Sequence, residues 1–320
     1  MSDWLQWGTG LIAAWQSGGN QLLTQTMESF TFLGAELFYM FVMPAVLWCY
    51  SASLGTRLGL ALLVSAGTNA VLKVAFSLPR PFWVDPRVRA LSVETSFGLP
   101  SGHAQNAVVL WGYLAYRVRR WWATAAAVVL ILAISFSRVY LGMHFPADVV
   151  AGWIVGAILL VLFIVCEAPL ARWLKQRRLT TRILVAVAAS LGLLAVGLLA
   201  AQVSVGRPLP PAWAENFQRA LGAVPFQPAS IEDLVSGSGA LLGFAVGAVL
   251  LDDWRGFSDP RGGWLRLARF FAGVVGVLAL QLGLNAVLPH GEAFRFLRYG
   301  LLGLWISYGA PRLFVALRLA

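Results

Sequence analysis

The chain has 320 residues, of which 59% are hydrophobic and only 12% are charged, against about a quarter charged in an average soluble domain. A soluble protein of this composition would expose apolar patches that aggregate, and two cysteines are too few for a secreted disulfide scaffold. A mean hydropathy of +0.73 also excludes a disordered chain. The composition therefore predicts an all-α protein, a polytopic bundle of transmembrane helices.

The net charge of +10 would suit a nucleic-acid-binding protein, but its distribution does not. Lys73 and Lys175 are the only lysines among the 24 basic residues, and most of the arginines lie at the ends of apolar runs. That pattern is typical of membrane orientation and of contacts with lipid head groups. We therefore expect no nucleic-acid partner.

Apolar runs of about 20 residues, the length that crosses the hydrocarbon core, predict nine spans. They lie near residues 29–50, 54–78, 103–119, 122–141, 146–166, 182–204, 234–251, 266–289 and 295–317. We divide the chain into an N-terminal segment, a core of five spans, a basic linker and a four-span extension of unassigned role. These parts are residues 1–28, 29–166, 167–181 and 182–320.

The N-terminal segment is less apolar than the spans. It contains Trp4, Trp7 and Trp15 beside glutamine and asparagine. Aromatic residues next to polar ones are typical of a helix lying in the membrane interface. We therefore predict an interfacial amphipathic helix, with a broken extra span as the alternative.

The basic residues predict the orientation of the spans. Fifteen of them fall in the connections on one side of the predicted bundle and nine on the other. The positive-inside rule places the richer side in the cytoplasm. The connections at residues 80–102 and 142–146 are then expected to face outward.

Polar and charged residues near membrane depth are costly and usually functional, and here they form three short blocks. In chain order the blocks are Lys73 with Arg80-Pro81, Pro100-Ser101-Gly102-His103, and Ser137-Arg138 followed by His144 and Asp148. All three fall at the predicted outward ends of spans two to five. One pocket could therefore collect them.

The first chemical signal is a set of cations with no carboxylate beside them in sequence: Lys73, Arg80 and Arg138. Converging cations need an anion, and the planar fork of arginine suits phosphate oxygens. Ser101 and Gly102 lead directly into a predicted helix, whose free N–H groups and positive dipole end also suit phosphate. We expect a phosphate-binding site.

The second signal is a pair of histidines. His144 and Asp148 are four residues apart, so on a helical turn Asp148 can accept a hydrogen bond from one imidazole nitrogen and leave the other as a nucleophile. His103 would protonate the leaving oxygen. This chemistry requires no metal ion and no cofactor, because the cations already stabilise the transferred group.

Each residue also has a structural interpretation when taken alone. Lys73 could be a snorkelling anchor, His103 a hydrogen-bonded core histidine, and Asp148 a helix N-terminal charge. The three blocks together fix eleven positions by type and spacing on one predicted membrane face. That joint pattern favours catalysis.

The blocks resemble the type 2 phosphatidic acid phosphatase superfamily, whose pattern is K-x6-RP, PSGH and SR-x5-H-x3-D, over about residues 29–166. The resemblance implies that Lys73, Arg80 and Arg138 bind phosphate, and that Ser101 and Gly102 form the phosphate-contacting loop. Flanking residues and the nine-span layout are similar to the glucose-6-phosphatase branch of that superfamily.

The resemblance also implies the roles of the remaining residues. His144 is expected to be the nucleophile that becomes phosphohistidine, His103 the general acid and Asp148 the partner that orients His144. No metal is expected in the reaction, and vanadate is expected to inhibit it as a phosphate mimic.

We therefore expect an integral membrane phosphatase that hydrolyses lipid phosphate esters or pyrophosphates on the extracytoplasmic face, in a bacterial inner membrane with the site facing the periplasm. The alternatives are a sugar-phosphate phosphatase, a lipid phosphotransferase and a phospholipid transporter without enzymatic activity. Gly239, Gly243 and Gly247 have a spacing that allows close helix packing, within the chain or in a homodimer.

Overall fold

The computed structural model describes residues 3–204, 206–259 and 262–319, and every regular element in these ranges is helical. The helices are α1 (Asp3–Ser17), α2 (Gln21–Phe32), α3 (Glu36–Cys49), α4 (Ala52–Phe76), α5 (Pro81–Val84), α6 (Gly102–Val118), α7 (Trp121–Tyr140), α8 (Pro146–Lys175), α9 (Leu179–Ser204), α10 (Pro211–Leu221), α11 (Glu232–Trp254), α12 (Gly263–Val287), α13 (Glu292–Leu304) and α14 (Ala310–Ala316). A π-helical turn, Trp305–Gly309, separates α13 from α14. The all-α prediction is confirmed for the described residues.

Six helical segments of the described chain are long and apolar enough to cross a membrane. They are Ala52–Val84, Trp121–Tyr140, Pro146–Lys175, Leu179–Ser204, Glu232–Trp254 and Gly263–Val287. A seventh is added only if α2 and α3, which are bent by 47° relative to each other, count as one span. The predicted count of nine spans is not confirmed.

The other three predicted spans coincide with interrupted or short helices. The run at 29–50 contains the bend between α2 and α3, and the run at 295–317 contains the π-helical turn. The run at 103–119 is α6, which has 17 residues and buries Gln105 and Asn106. Average hydropathy does not register such breaks, nor polar side chains that face a protein interior.

The segment predicted as one interfacial helix, residues 1–28, forms α1 and the first part of α2, while residues 1 and 2 lie outside the described residues. The Asn20 side chain ends the interruption by accepting a hydrogen bond from the Leu23 amide at 2.8 Å, a standard N-cap. The position of this segment in a membrane interface stays a prediction.

The chain forms two compact units. The first unit contains the residues up to Phe38, Thr68–Val161 and Leu198–Ser230, and the second unit contains Tyr39–Gly67, Leu162–Gly197 and the residues from Ile231 on. Both units draw on separate parts of the chain. The division of the chain into four consecutive parts, made from the sequence, stays a prediction.

An aromatic cluster in the first unit fixes α5. The ring of Trp83 contacts those of Phe97, Phe217 and Phe226 at centroid distances of 5.1–6.2 Å, and Trp83 is fully buried. Asn216 of α10 donates a hydrogen bond to the Trp83 carbonyl oxygen at 2.9 Å. Burial of large aromatic side chains is strongly stabilising, so α5 and the residue just before it are held in place.

Glycines on α8 bring α6 close. A Cβ on Gly152 would come within 2.7 Å of the Ser101 carbonyl oxygen, and a Cβ on Gly156 within 2.7 Å of the Gln105 carbonyl oxygen. Residues four apart lie on one helix face, so these two glycines form a flat surface against the start of α6. The second and third sequence blocks are thereby placed side by side.

In the second unit the glycines at i, i+4 spacing pack within the chain. A Cβ on Gly239 would overlap the Phe296 carbonyl oxygen of α13, and one on Gly243 would overlap that of Gly300. A Cβ on Gly247 would overlap the Ser307 hydroxyl. The intramolecular alternative therefore accounts for this motif, and the homodimer stays a prediction.

Replacing Gly243 with alanine is expected to destabilise the second unit by about 1–3 kcal/mol, because the new methyl group meets backbone that must shift. The measurement is thermal unfolding of the purified protein in detergent. Gly283→Ala on α12 is the matched control, since a Cβ there has no neighbour within 4 Å among the described atoms and alanine favours a helix. Equal melting temperatures for the two variants would contradict the packing argument.

Candidate active site

All eight residues singled out from the sequence lie in the first unit. Lys73 lies near the end of α4, Arg80 precedes α5, and Arg138 lies in the last turn of α7. Ser101 caps α6, which begins with Gly102 and His103, and Asp148 lies in the first turn of α8, four residues after His144. The three blocks therefore come from helix ends.

Arg80 is fully buried and its guanidinium group is fixed by several acceptors. Its Nε donates to the Ser96 carbonyl oxygen at 2.6 Å, its Nη2 to the Phe97 carbonyl oxygen at 3.2 Å and its Nη1 to the Met143 carbonyl oxygen at 3.0 Å. Pro81 follows, which favours the extended backbone that Arg80 adopts. These hydrogen bonds hold the Arg80 guanidinium group in one orientation.

Arg138, also buried, faces the same space from α7. Its Nη1 donates to the Thr31 hydroxyl of α2 at 2.9 Å, while its Nε is buried without a hydrogen-bond partner among the described residues. The Arg138 carbonyl oxygen accepts hydrogen bonds from the amides of Met143 and His144 at 3.0 and 3.3 Å. The arginine is thus directly attached to the turn that carries His144.

A carboxylate that the sequence analysis missed joins the two arginines. Glu94 Oε1 lies 2.5 Å from Arg138 Nη2, and Glu94 Oε2 lies 3.3 Å from Arg80 Nη2. The arginine side chains are 1% and 0% exposed, whereas that of Glu94 is 22% exposed. The carboxylate therefore lies at the open side of the cation pair.

The electrostatic surroundings of Glu94 favour its charged form. Burial alone raises the pKa of this carboxyl, but Arg80, Arg138 and Lys73 more than offset burial and hold the pKa below its ordinary value of 4.5. A sequence signal was available: the loop between the first two blocks contains two acids, and Asp85 pairs locally with Arg87 at 2.6 Å. Glu94 was therefore the acid in this loop that remained available to pair with the cations.

Ser96 connects Lys73 to this cluster and was also missed. Lys73 Nζ donates to Ser96 Oγ at 2.8 Å, and Arg80 Nη2 donates to the same oxygen at 3.2 Å. All three cations of the prediction therefore meet at the loop residues 94–97. Serine in a polar loop gives no distinctive pattern, so its role is visible only in the structure.

His144 lies between Arg80 and Asp148 and is 1% exposed. Its Nε2 is 3.3 Å from Arg80 Nη1, and its Nδ1 is 3.4 Å from Asp148 Oδ2. Asp148 Oδ2 also accepts the Phe145 amide at 2.9 Å. The carboxylate therefore lies on the Nδ1 side, although Nδ1 makes no hydrogen bond with a described residue, and Nε2 faces Arg80. Orientation of the ring by Asp148 stays a prediction.

The environment of His144 disfavours protonation. Burial lowers the pKa of its imidazole well below 6.5, and the charges of Arg80, Arg138 and Lys73 lower it further. The imidazole is therefore neutral near pH 7, and one of its two nitrogens carries a lone pair. If that nitrogen is Nε2, the lone pair accepts the hydrogen bond from Arg80 Nη1. A neutral imidazole is the form that a nucleophile needs.

The Pro-Ser-Gly-His block differs in part from expectation. The Ser101 amide is engaged by the Asp148 carbonyl oxygen at 2.9 Å, while Ser101 Oγ is fully buried and has no hydrogen-bond partner among the described residues. A Cβ on Gly102 would come within 2.9 Å of Asn69 Oδ1. Gly102 is thus required for packing against α4, in addition to any approach of a ligand.

His103 lies on the first turn of α6, close to the bend between α2 and α3. A Cβ on Gly34 in that bend would come within 3.1 Å of its ring. The imidazole is partly buried and interacts electrostatically with Arg138, Glu94 and Lys73. His103 therefore borders the same charged cluster from the side of α6.

No group of three or more His, Cys, Asp and Glu side chains within residues 3–204, 206–259 and 262–319 is arranged to hold a metal ion. The charges of the site come instead from lysine and arginine. Metal independence of any reaction here stays a prediction.

Comparison with known families finds two separate matches. Residues 54–172 match the PAP2 superfamily, and residues 235–320 match the family described as PAP2 superfamily phosphatase, transmembrane extension. The first match contains all three sequence blocks. The second covers most of the predicted four-span extension.

Three curated relatives illustrate the range of similar proteins. The chain is 30% identical over 156 residues to phosphatidylglycerophosphatase B of Bacillus subtilis, which covers 44% of this chain and 73% of that protein. It is 31% identical over 162 residues to a probable sphingosine-1-phosphate phosphatase of Dictyostelium discoideum, covering 45% and 39%. It is 31% identical over 183 residues to glucose-6-phosphatase 3 of Homo sapiens, covering 48% and 51%. The chain thus spans less than half of the Dictyostelium relative and about half of the human one.

The lowered pKa of His144 predicts that its ring stays neutral at pH 6.5, where an ordinary imidazole is half protonated. Since the folded protein then binds fewer protons than the unfolded chain, this group costs stability as the pH falls below about 6.5. Nitrogen-15 NMR of the histidine rings measures the titration, with His144→Asn identifying the signals. A His144 ring that is half protonated at pH 6.5 would contradict the burial argument.

Proposed function

The chain belongs to the PAP2 superfamily, and we propose that it is an integral membrane phosphatase. It hydrolyses phosphate monoesters or pyrophosphates of lipids through a phosphohistidine at His144, without a metal ion. One observation carries the proposal. The buried guanidinium groups of Arg80 and Arg138 both contact the Glu94 carboxylate, and His144 Nε2 lies 3.3 Å from Arg80 Nη1.

The cation pair supports phosphate as the ligand. Glu94 places its two oxygens on Arg80 and Arg138 as two oxygens of a phosphoryl group would be placed. The buried atoms Arg138 Nε and Ser101 Oγ have no hydrogen-bond partner among the described residues, which leaves donors for the further oxygens of a phosphate. On this proposal the substrate phosphate displaces the Glu94 carboxylate.

The histidines support transfer through a covalent intermediate. In the first step the Nε2 lone pair of His144 attacks phosphorus, the bond from phosphorus to the ester oxygen breaks, and His103 gives that oxygen a proton. In the second step His103 takes a proton from water, the water oxygen attacks phosphorus, and the bond from phosphorus to Nε2 breaks. Asp148 keeps the His144 ring oriented and stabilises its positive charge between the steps.

The placement of the site supports an amphiphilic substrate. Lys73 lies in the last turn of α4, and Arg138 and Asp148 lie at the ends of candidate membrane spans, where a lipid phosphate could reach them from the bilayer. The excess of basic residues in the other connections supports an extracytoplasmic site. We extend the proposal to a bacterial inner membrane with the site facing the periplasm.

A sugar phosphate is the second candidate substrate, favoured by the similarity to glucose-6-phosphatase 3 of Homo sapiens. The two candidates differ in whether the alcohol released is a lipid or a soluble sugar. A lipid phosphotransferase would use the same first step and replace water by another hydroxyl group. A transporter would use the cations for binding only.

The first experiment measures phosphate release by the purified protein from sphingoid phosphates, phosphatidylglycerol phosphate, phosphatidate, polyprenyl pyrophosphate and glucose 6-phosphate. We expect release from at least one lipid ester that EDTA does not inhibit, and a loss of about 10³-fold or more in His144→Asn. His290→Asn, an exposed histidine in the second unit, is the matched control and should retain activity. Turnover unchanged in His144→Asn would refute the phosphohistidine, and no release from any ester would refute the phosphatase.

The displacement of Glu94 by phosphate gives a separate prediction. Vanadate should inhibit Glu94→Gln about tenfold more strongly than it inhibits the wild type, because the arginines hold a neutral amide less tightly than a carboxylate. The inhibition constant at fixed pH and ionic strength is the measurement. Asp85→Asn, which removes a carboxylate paired with Arg87 in the same loop, is the control. Weaker inhibition of Glu94→Gln would mean that the carboxylate positions the arginines and does not occupy their anion site.

A further inference from the structure

The turn that carries His144 lies against α1, an element outside the three sequence blocks. Phe145, directly after His144, makes an edge-to-face contact with Trp4 at a centroid distance of 5.4 Å. A Cβ on Gly8 would come within 2.6 Å of the Phe145 ring. The first half of α1 therefore packs directly on the end of this turn.

Gln16, at the other end of α1, holds the start of the same turn. It is 3% exposed, and its Nε2 donates to the carbonyl oxygens of Tyr140 and Arg89, both at 2.9 Å. Its Oε1 accepts from the Arg89 amide at 2.8 Å. One buried amide thus joins the end of α7 to the loop that contains Glu94 and Ser96.

The two segments that Gln16 joins are also hydrogen-bonded to each other. The Leu91 amide donates to the Leu141 carbonyl oxygen at 3.1 Å. Gly142 follows with φ of +76°, and a Cβ there would come within 3.2 Å of Gln16 Nε2. The glycine therefore permits both the left-handed turn and the close approach of the Gln16 side chain.

We propose that Gln16 is a positioning residue, which sets the place of His144 Nε2 relative to the arginine-bound phosphate. The inference rests on the proposed function. The phosphate cations also have supports outside this turn, namely Ser96, Phe97 and Thr31. Arg80 and Arg138 are hydrogen-bonded to the turn as well, at the backbone of Met143 and His144, so their positions depend on it in part. Loss of Gln16 should still displace the nucleophile more than the phosphate site.

The test compares Gln16→Met, which has similar length and no hydrogen-bonding amide, with the wild type in detergent micelles. Displacement of a reacting group by about 1 Å can reduce the rate about 100-fold, so we expect kcat to fall 10- to 100-fold and KM to change less than threefold. Gln6→Met on the exposed side of α1 is the matched control and should behave as wild type. The amount of folded protein is measured by size-exclusion chromatography and by the amplitude of thermal unfolding without a ligand.

Arg89→Met gives a second, milder variant in case Gln16→Met does not fold. The Arg89 side chain is exposed and donates to the Gln16 carbonyl oxygen at 2.8 Å. Its removal therefore weakens the attachment of Gln16 to this loop. We expect about a threefold fall in kcat with unchanged KM.

The outcomes separate the two levels of the proposal. A wild-type protein without phosphatase activity would refute the proposed function. An active wild type with unchanged kcat in folded Gln16→Met would refute the positioning role alone. A rise in KM equal to the fall in kcat, or a loss explained entirely by less folded protein, would likewise assign Gln16 to general stability.

Discussion

The ion cluster formed by Glu94, Arg80 and Arg138 is the interaction on which the site depends. Two guanidinium groups that are 0% and 1% exposed need a nearby anion, because an isolated buried charge is very costly. Glu94 supplies that anion from a loop without regular structure. The fold of the loop and the convergence of the cations therefore stabilise each other in the structure without a ligand.

The same interaction explains which parts of the site the sequence predicted. The separation of His144 and Asp148 by one helical turn, and the three cations, were predicted because spacing and charge are visible in a linear pattern. Glu94, Ser96 and Gln16 were not, because their partners lie 14 to 124 residues away and no local period marks them. Only the absence of a neighbouring acid around the cations indicated that one had to come from elsewhere.

The fold shows a similar division. Apolar runs predicted the long helices, because a segment that crosses hydrocarbon must satisfy its own backbone, whereas α5 and α10 lie in polar stretches that predicted no helix. The same runs gave no sign of the bend between α2 and α3. At that bend Gly34 lies against the side chains of Ile134 and His103. The apolar runs also concealed the close approach of α8 to α6 at Gly152 and Gly156. Breaks and close contacts depend on tertiary neighbours, which average hydropathy does not contain.

The cations serve two needs of the proposed chemistry at once. Arg80 and Arg138 attract a phosphate, and together with burial they keep His144 neutral, so the group that binds the electrophile also preserves the lone pair that attacks it. A phosphate dianion that replaces the single charge of Glu94 brings one more negative charge to the cluster. That charge favours protonation of a nearby imidazole. Burial and the charge of Arg138 hold the pKa of His103 well below its ordinary value of 6.5, so the proposed acid depends on the negative charge that the substrate brings.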